Sequence, residues 1–226
     1  MLKTKQTFDF TIIKKKPGKQ LTNPPPKERI FQAALLLFAK QGFAATGLRE
    51  LATRAEVNLA MINYFFGSKK ALLKEIMDGF FEGYLAIAEK ELNGEETVSL
   101  KLRIFINSSV HYFNCNQKSL LVTISELPHD DPDIVSYKAS WMKQIANVLE
   151  KEICIPLAKE TGRNIPASCM GPMLTSLMAS RFLFSPVISQ LSQETAHTVD
   201  IMTYTEMITN IFIQGITDPN WKLNSK

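Results

Sequence analysis

The hydrophobic pattern of this chain becomes regular at Lys27. In KERIFQAALLLFAKQ, Ile30, Ala34, Leu37 and Gln41 recur at three- and four-residue steps with Phe31 and Phe38 beside them, which predicts an amphipathic helix stopped by Gly42. Thr46 reads as the N-cap of a second, short helix, whose Leu48, Leu51, Ala52 and Ala55 lie at i, i+3, i+4 and i+7. A third helix starts with Asn58 as cap, and Val57 before it is placed to staple onto Ile62. It ends near Phe66, where Gly67 stops it and Ser68 caps the next. From there KKALLKEIMDGFFEGYLAIAEKEL runs as one long helix to about Leu92. Further helical segments are expected near 97–115, 117–127, 133–161, 167–185 and 196–214, with Asn93, Gly94 and Pro128 as punctuation. Strand-like alternation is nearly absent and no internal repeat is found, so the fold class is all-α.

A chain of 226 residues, 45% of them hydrophobic, can bury a sizeable core. No stretch approaches the roughly 18 to 20 apolar residues of a membrane span, and the N-terminus lacks a secretory pattern, so a cytoplasmic protein without a membrane partner is expected. Cys115, Cys154 and Cys169 are odd in number and not in metal-binding spacing; buried free thiols are expected, with no disulfide, metal or cofactor.

Charge changes the picture more than composition does. Residues 1–78 hold 14 Lys+Arg against 6 Asp+Glu, whereas the remainder is net acidic although the whole chain is +4. A basic N-terminal part suits a polyanion. Residues 1–26 contain six lysines and one acid and end in three prolines, which reads as a flexible basic arm or a tail without a role.

Two short helices joined by a tight turn and braced by a longer one match the layout of a helix-turn-helix, although a structural hairpin has the same spacing. Lys69 and Lys70 stand at a helix N-terminus, where the dipole disfavours cations unless something negative such as a phosphate is near. The third helix, NLAMINYFF, has no Lys or Arg, so it suits reading bases rather than holding the backbone. Asn63 can pair with an adenine edge, Leu59 and Ala60 can meet a thymine methyl, and Tyr64 can bond a phosphate. Non-specific attraction would come from Lys27, Arg29, Arg49, Lys69 and Lys70, with the arm as a further source if it has a role.

The run FAKQGFAATGLRELATRAEVNLAMINYFFGSKKALL resembles the N-terminal DNA-binding domain of the TetR (tetracycline-repressor) family of bacterial transcriptional regulators. The resemblance implies that Thr46 and Arg49 lie near the DNA backbone, that Asn58, Leu59, Ala60, Asn63 and Tyr64 face the groove, and that Lys69 meets a phosphate. Glu56 departs from the pattern, since the family usually has a turn glycine there; Asn63 stands where Tyr is frequent. The implied organisation is a basic arm (1–26), a helix-turn-helix domain (27–72) and a helical ligand-binding and dimerisation domain (73–226). The implied partners are double-stranded operator DNA, a second copy of the chain and an unknown small-molecule effector, in a ligand-responsive regulator, most often a repressor, that is not an enzyme.

Within 73–226, the pairing helices would be GPMLTSLMASRFLF and VDIMTYTEMITNIFIQGI. Phe81, Tyr84, Phe105, His111, Tyr112 and Trp141 are the ligand-binding candidates, with Asn107 and Glu126 as further polar groups, although aromatic stripes at helical spacing are also ordinary core. The alternative is a metal-dependent or acid/base enzyme using His129, Asp130, Asp131 and Asp133, where Asp131 or Asp133 can equally be an N-cap.

Overall fold

The computed structural model describes residues 24–124, 131–195 and 199–218, and among them every regular element is helical. The expected arm, up to residue 23, lies outside them, as do Glu126, His129 and Asp130. The order is α1 (Pro26–Gln41), α2 (Leu48–Ala55), α3 (Leu59–Phe66), α4 (Lys69–Glu91), α5 (Val98–Cys115), α6 (Gln117–Ile124), α7 (Pro132–Leu149), a π-helical turn (Glu150–Cys154), α8 (Ile155–Thr161), α9 (Ala167–Leu183), α10 (Ser185–Thr195) and α11 (Ile201–Thr217).

Local chemistry accounts for the first four helices. Pro26 opens α1, where a missing N–H costs nothing, and Gly42 at φ 86° closes it. Asn58 and Ser68 cap α3 and α4 by accepting from Met61 N and Ala71 N. Thr46 does not cap α2: Gly47 occupies that position, while the buried Thr46 hydroxyl donates to Gly42 O at 2.8 Å. Glu56, at φ 55°, is the one non-glycine residue in the left-handed region among the described residues. That conformation costs an L-residue about 1–2 kcal/mol. Glu56→Gly is therefore expected to raise the thermal midpoint by a few degrees; a lower midpoint would show that the Glu56 side chain outweighs the strain.

Two later elements differ from the periodicity. One helix over 133–161 is predicted, but Pro156, which cannot donate to the carbonyl four residues back, is preceded by the π-helical turn, and the segment becomes α7, that turn and α8. No helix is predicted for 186–195, where α10 forms; its proline stands in the first turn, where proline is tolerated.

Helix α4, about 34 Å long at 1.5 Å per residue, crosses the expected boundary at residue 72. Its start packs on α1 and α3 and its remainder on α5, α6 and α7. The buried apolar residues form one cluster from Ile30 on α1 to Ile216 on α11. The head formed by α1–α3 thus rests on the body through α4 and the α1–α6 contact. No helix among the described residues is long and apolar enough to cross a membrane.

Candidate nucleic-acid interface

Helix α3 divides into two faces. Ile62 and Phe66 are buried against the head, with Met61 and Phe65 partly covered. Asn58, Leu59, Ala60, Asn63 and Tyr64 are all exposed, Tyr64 at 83%. The face holds no charge, and Tyr64 lies edge-on to Phe65 with ring centroids 5.0 Å apart, which steadies its ring. Leu59, Ala60 and Asn63, of the kind that meet base edges, and Tyr64 therefore stand together on a rigid two-turn helix that Asn58 caps.

The cations around this face are mostly engaged inside the chain. Lys27 pairs with Glu75 at 2.9 Å and Arg29 with Glu56 at 3.6 Å. Lys69 donates to Phe43 O and Thr46 O, both at 2.8 Å, and sits 4.4 Å above the Phe43 ring; burial lowers its pKa from the ordinary lysine value. Lys69 thus holds the α1–α2 turn, a use for a lysine at a helix start that the dipole rule does not reveal. Arg49 is exposed on α2. Thr46, expected beside the DNA backbone, is 1% exposed, so its hydroxyl serves the turn instead.

Lys70 has a different partner. Its ammonium reaches Asp131 at 2.6 Å and Asp133 at 3.8 Å, and Lys74 reaches Asp133 at 2.9 Å. Asp131 is also the N-cap of α7, accepting from Asp133 N and Ile134 N. The hydrogen bond from Lys70 holds the Asp131 carboxyl below its ordinary range, and the same bond raises Lys70. For Asp131 this adds stability at pH above its unfolded value, lost as pH falls through the lower folded value; for Lys70 the contribution is full below its unfolded value and fades as pH rises through the higher folded one. The contact is thus intact at neutral pH. It ties the start of α4 to the body and sets two carboxylates against a lysine that a phosphate would otherwise claim. Asp131→Asn keeps a good cap but removes the charge, and is expected to tighten DNA binding about two- to five-fold in low-salt titrations. Unchanged or weaker binding would remove this competition from the account.

The same contacts bear on the enzyme alternative. Asp131 and Asp133, the described acids of that loop, are both paired with lysines, and no group of three or more metal-ligating side chains occurs among the described residues.

In the body, five of the six aromatic or polar ligand candidates join one aromatic cluster. Phe81 stacks on Trp141 at 5.9 Å, Tyr84 on Phe105 at 5.8 Å, and Tyr112 lies 5.5 Å from Phe80. Tyr84 O–H is within 3.2 Å of Thr175 Oγ1, and burial pushes its pKa up to about 12. Tyr112 donates to Phe80 O and packs so closely on Gly83 that any Cβ there would meet its hydroxyl. His111 does not belong: it is exposed, 3.7 Å from Cys115 Sγ on the outer side of α5. Asp78, not singled out by sequence, accepts from both Tyr137 and Trp141 Nε1; its partners lie 59 and 63 residues away, so no local signal marked it. Of the three thiols only Cys154 is buried, with its pKa pushed up to about 12; Cys115 and Cys169 are exposed, because helix packing turned their faces outward.

Residues 30–76 match the family model described as "Bacterial regulatory proteins, tetR family". Residues 30–76 are thus similar to the regulatory proteins of the TetR family. A similar sequence is the "Probable HTH-type transcriptional regulator YttP" of Bacillus subtilis (strain 168), 31% identical over 166 residues, covering 73% of this chain and 63% of that protein. The "HTH-type transcriptional repressor NicS" of Pseudomonas putida is 31% identical over 58 residues, 26% of this chain and 27% of its own length. The chain thus spans under two thirds of either relative. A regulatory protein of the tetR family from Rhodococcus RHA1 shares the fold at a TM-score of 0.70 and 18% identity, over 84% of this chain and 96% of that one. FadR from Bacillus subtilis, solved in complex with stearoyl-CoA, does so at 0.66 and 14% identity, over 86% and 99%. The TetR-family match coincides with α1–α3 and the first third of α4, the segment whose α3 carries the exposed face.

Proposed function

We propose that this chain is a homodimeric, ligand-responsive transcriptional regulator, acting in the cytoplasm without catalysis of its own. One α3 per copy reads each half of a palindromic operator. The observation that carries this reading is the uncharged, exposed face of α3 on a helix anchored by Ile62 and Phe66. Such a face offers the groups that match base edges. Arg49, Lys70 and the unpaired N–H groups at the start of α4 supply backbone contacts, with Lys70 released from Asp131 on binding. The division into arm, head (27–72) and body (73–226) belongs to the same proposal.

The effector reading rests on the aromatic cluster beneath α4. Its rings are closely packed, so a ligand would part them, displace α4 and respace the heads, and effector and operator would oppose each other by linkage. FadR, of the same fold, was solved with an acyl-CoA, and an apolar chain is the ligand class these residues suit best. Repression is the favoured sign of action, since NicS is a repressor.

Selection of bound sequences from random duplex DNA tests the reading. A two-fold symmetric consensus is expected, and Asn63→Ala should relax preference at one base pair per half-site by about 1–3 kcal/mol. No enrichment at all would overturn the function; equal losses on every sequence would remove Asn63 from base reading.

A further inference from the structure

A groove of about 330 Å³ lies away from both the α3 face and the aromatic cluster, walled by Arg29, Gln32, Ala33 and Leu36 of α1, Arg54 and Ala55 at the end of α2, Glu56, and Lys118 of α6. Three of its side chains are cationic and one is acidic, so the wall is net positive. The Arg29 Nε–H is shielded from solvent and has no acceptor among the described residues. Its Nη1 stands 3.6 Å from Glu56 Oε2, beyond a good hydrogen bond. The side chain is still 21% exposed, so its terminal nitrogens, held by this long contact, can take a stronger acceptor when an anion arrives.

Glu56 is the second observation. The chain holds it at φ 55°, where glycine would be relaxed, and its carboxylate is the groove's single acid. Strain of this kind is retained where a side chain is needed. With no ligand bound, the carboxylate partly neutralises Arg29; it also sets which anions can enter, because only a stronger acceptor displaces it.

We infer that this groove binds a small phosphate-bearing anion between head and body. Two guanidinium forks and an ammonium match phosphate oxygens, and the volume suits a pyrophosphate or a sugar phosphate. The DNA backbone is the less fitting source, since the groove is at the far end of α2, about 12 Å from the start of that helix, and α6 forms part of its wall. An occupant would clamp α1 and α2 onto α6 and so bias the head's orientation; that consequence, unlike the binding, rests on the regulator reading.

Calorimetric titration of the full chain, without DNA, with inorganic pyrophosphate and separately with ribose 5-phosphate tests the site. One saturable event per chain is expected for at least one probe, and the tighter probe identifies the source. Arg54→Gln and Lys118→Gln should each weaken it at least about ten-fold, Glu56→Gln should tighten it a few-fold, and Lys143→Gln on α7 should leave it unchanged, with circular dichroism confirming that each variant is folded. Absence of saturation up to about 10 mM, or equal binding by all variants, overturns the site. DNA titrations run in parallel keep the outcomes apart: loss of DNA affinity in Arg54→Gln and Lys118→Gln with no pyrophosphate binding would give the groove to the DNA backbone and overturn the inference.

Discussion

Ile211→Glu is expected to convert a dimer into a monomer and to weaken binding to a two-half-site operator by about 10²- to 10⁴-fold while leaving half-site affinity intact. The argument starts from how α11 is used. Ile208, Phe212 and Ile216 bury one side of it in the chain's own core, and Tyr204 donates to Leu177 O on α9. The other side leaves Met202, Met207 and Ile211 exposed, Ile211 at 61%. Beside it α9 exposes Met173, and Phe184 follows at its end, also exposed. Apolar residues left out on two adjacent helices suit a second copy in a four-helix interface. Two-fold symmetry makes each substitution count twice, and an unpaired carboxylate in such an interface costs several kcal/mol, enough to prevent assembly. Light scattering should give the 25.5 kDa chain mass for the variant and twice that for the parent. A parent that is already monomeric, or a variant that remains dimeric with full affinity, would place the interface elsewhere.

Lys69→Met should lower stability by about 1–3 kcal/mol and weaken binding to every DNA sequence. The ammonium is the donor for two carbonyls of the α1–α2 turn, Phe43 and Thr46, and rests on the Phe43 ring. Methionine keeps the bulk and removes the donor, leaving both carbonyls in a part-buried place without it. The thermal midpoint should fall by about 2–4 °C for each kcal/mol in a chain of this size. The salt dependence of DNA binding distinguishes this role from a phosphate contact. With Lys69 committed to carbonyls, the slope should match the parent's; a slope lower by about one unit would return Lys69 to the DNA backbone.

Much of the head was legible before any coordinates. Gly42, Asn58, Gly67 and Ser68 act on groups within four residues, so the ends of α1, α3 and α4 follow from neighbours in the chain. The exposed face of α3 was readable too, because Ile62 and Phe66 are spaced for burial and the residues between them are not. Thr46 shows the limit: threonine at that point is a good cap by type, yet its hydroxyl found Gly42 O once the turn closed, and Gly47 took the position. Helix α10 was missed because its proline and polar residues resemble a connection. His111 shared a helix with Tyr112 and Phe113 but not their inward direction.

What the amino-acid order determined by itself is the all-helical class, the family segment and the uncharged outer face of α3, since caps, helical periodicity and glycine turns are terms of short range. Only the tertiary structure decided where the charges went. Lys69 meets carbonyls 23 and 26 residues back, Lys70 meets Asp131 across the body, and Arg29 meets Glu56 at the rim of a groove that α6 completes. Electrostatic partners depend on distance in space, and that distance exists only once the chain has packed.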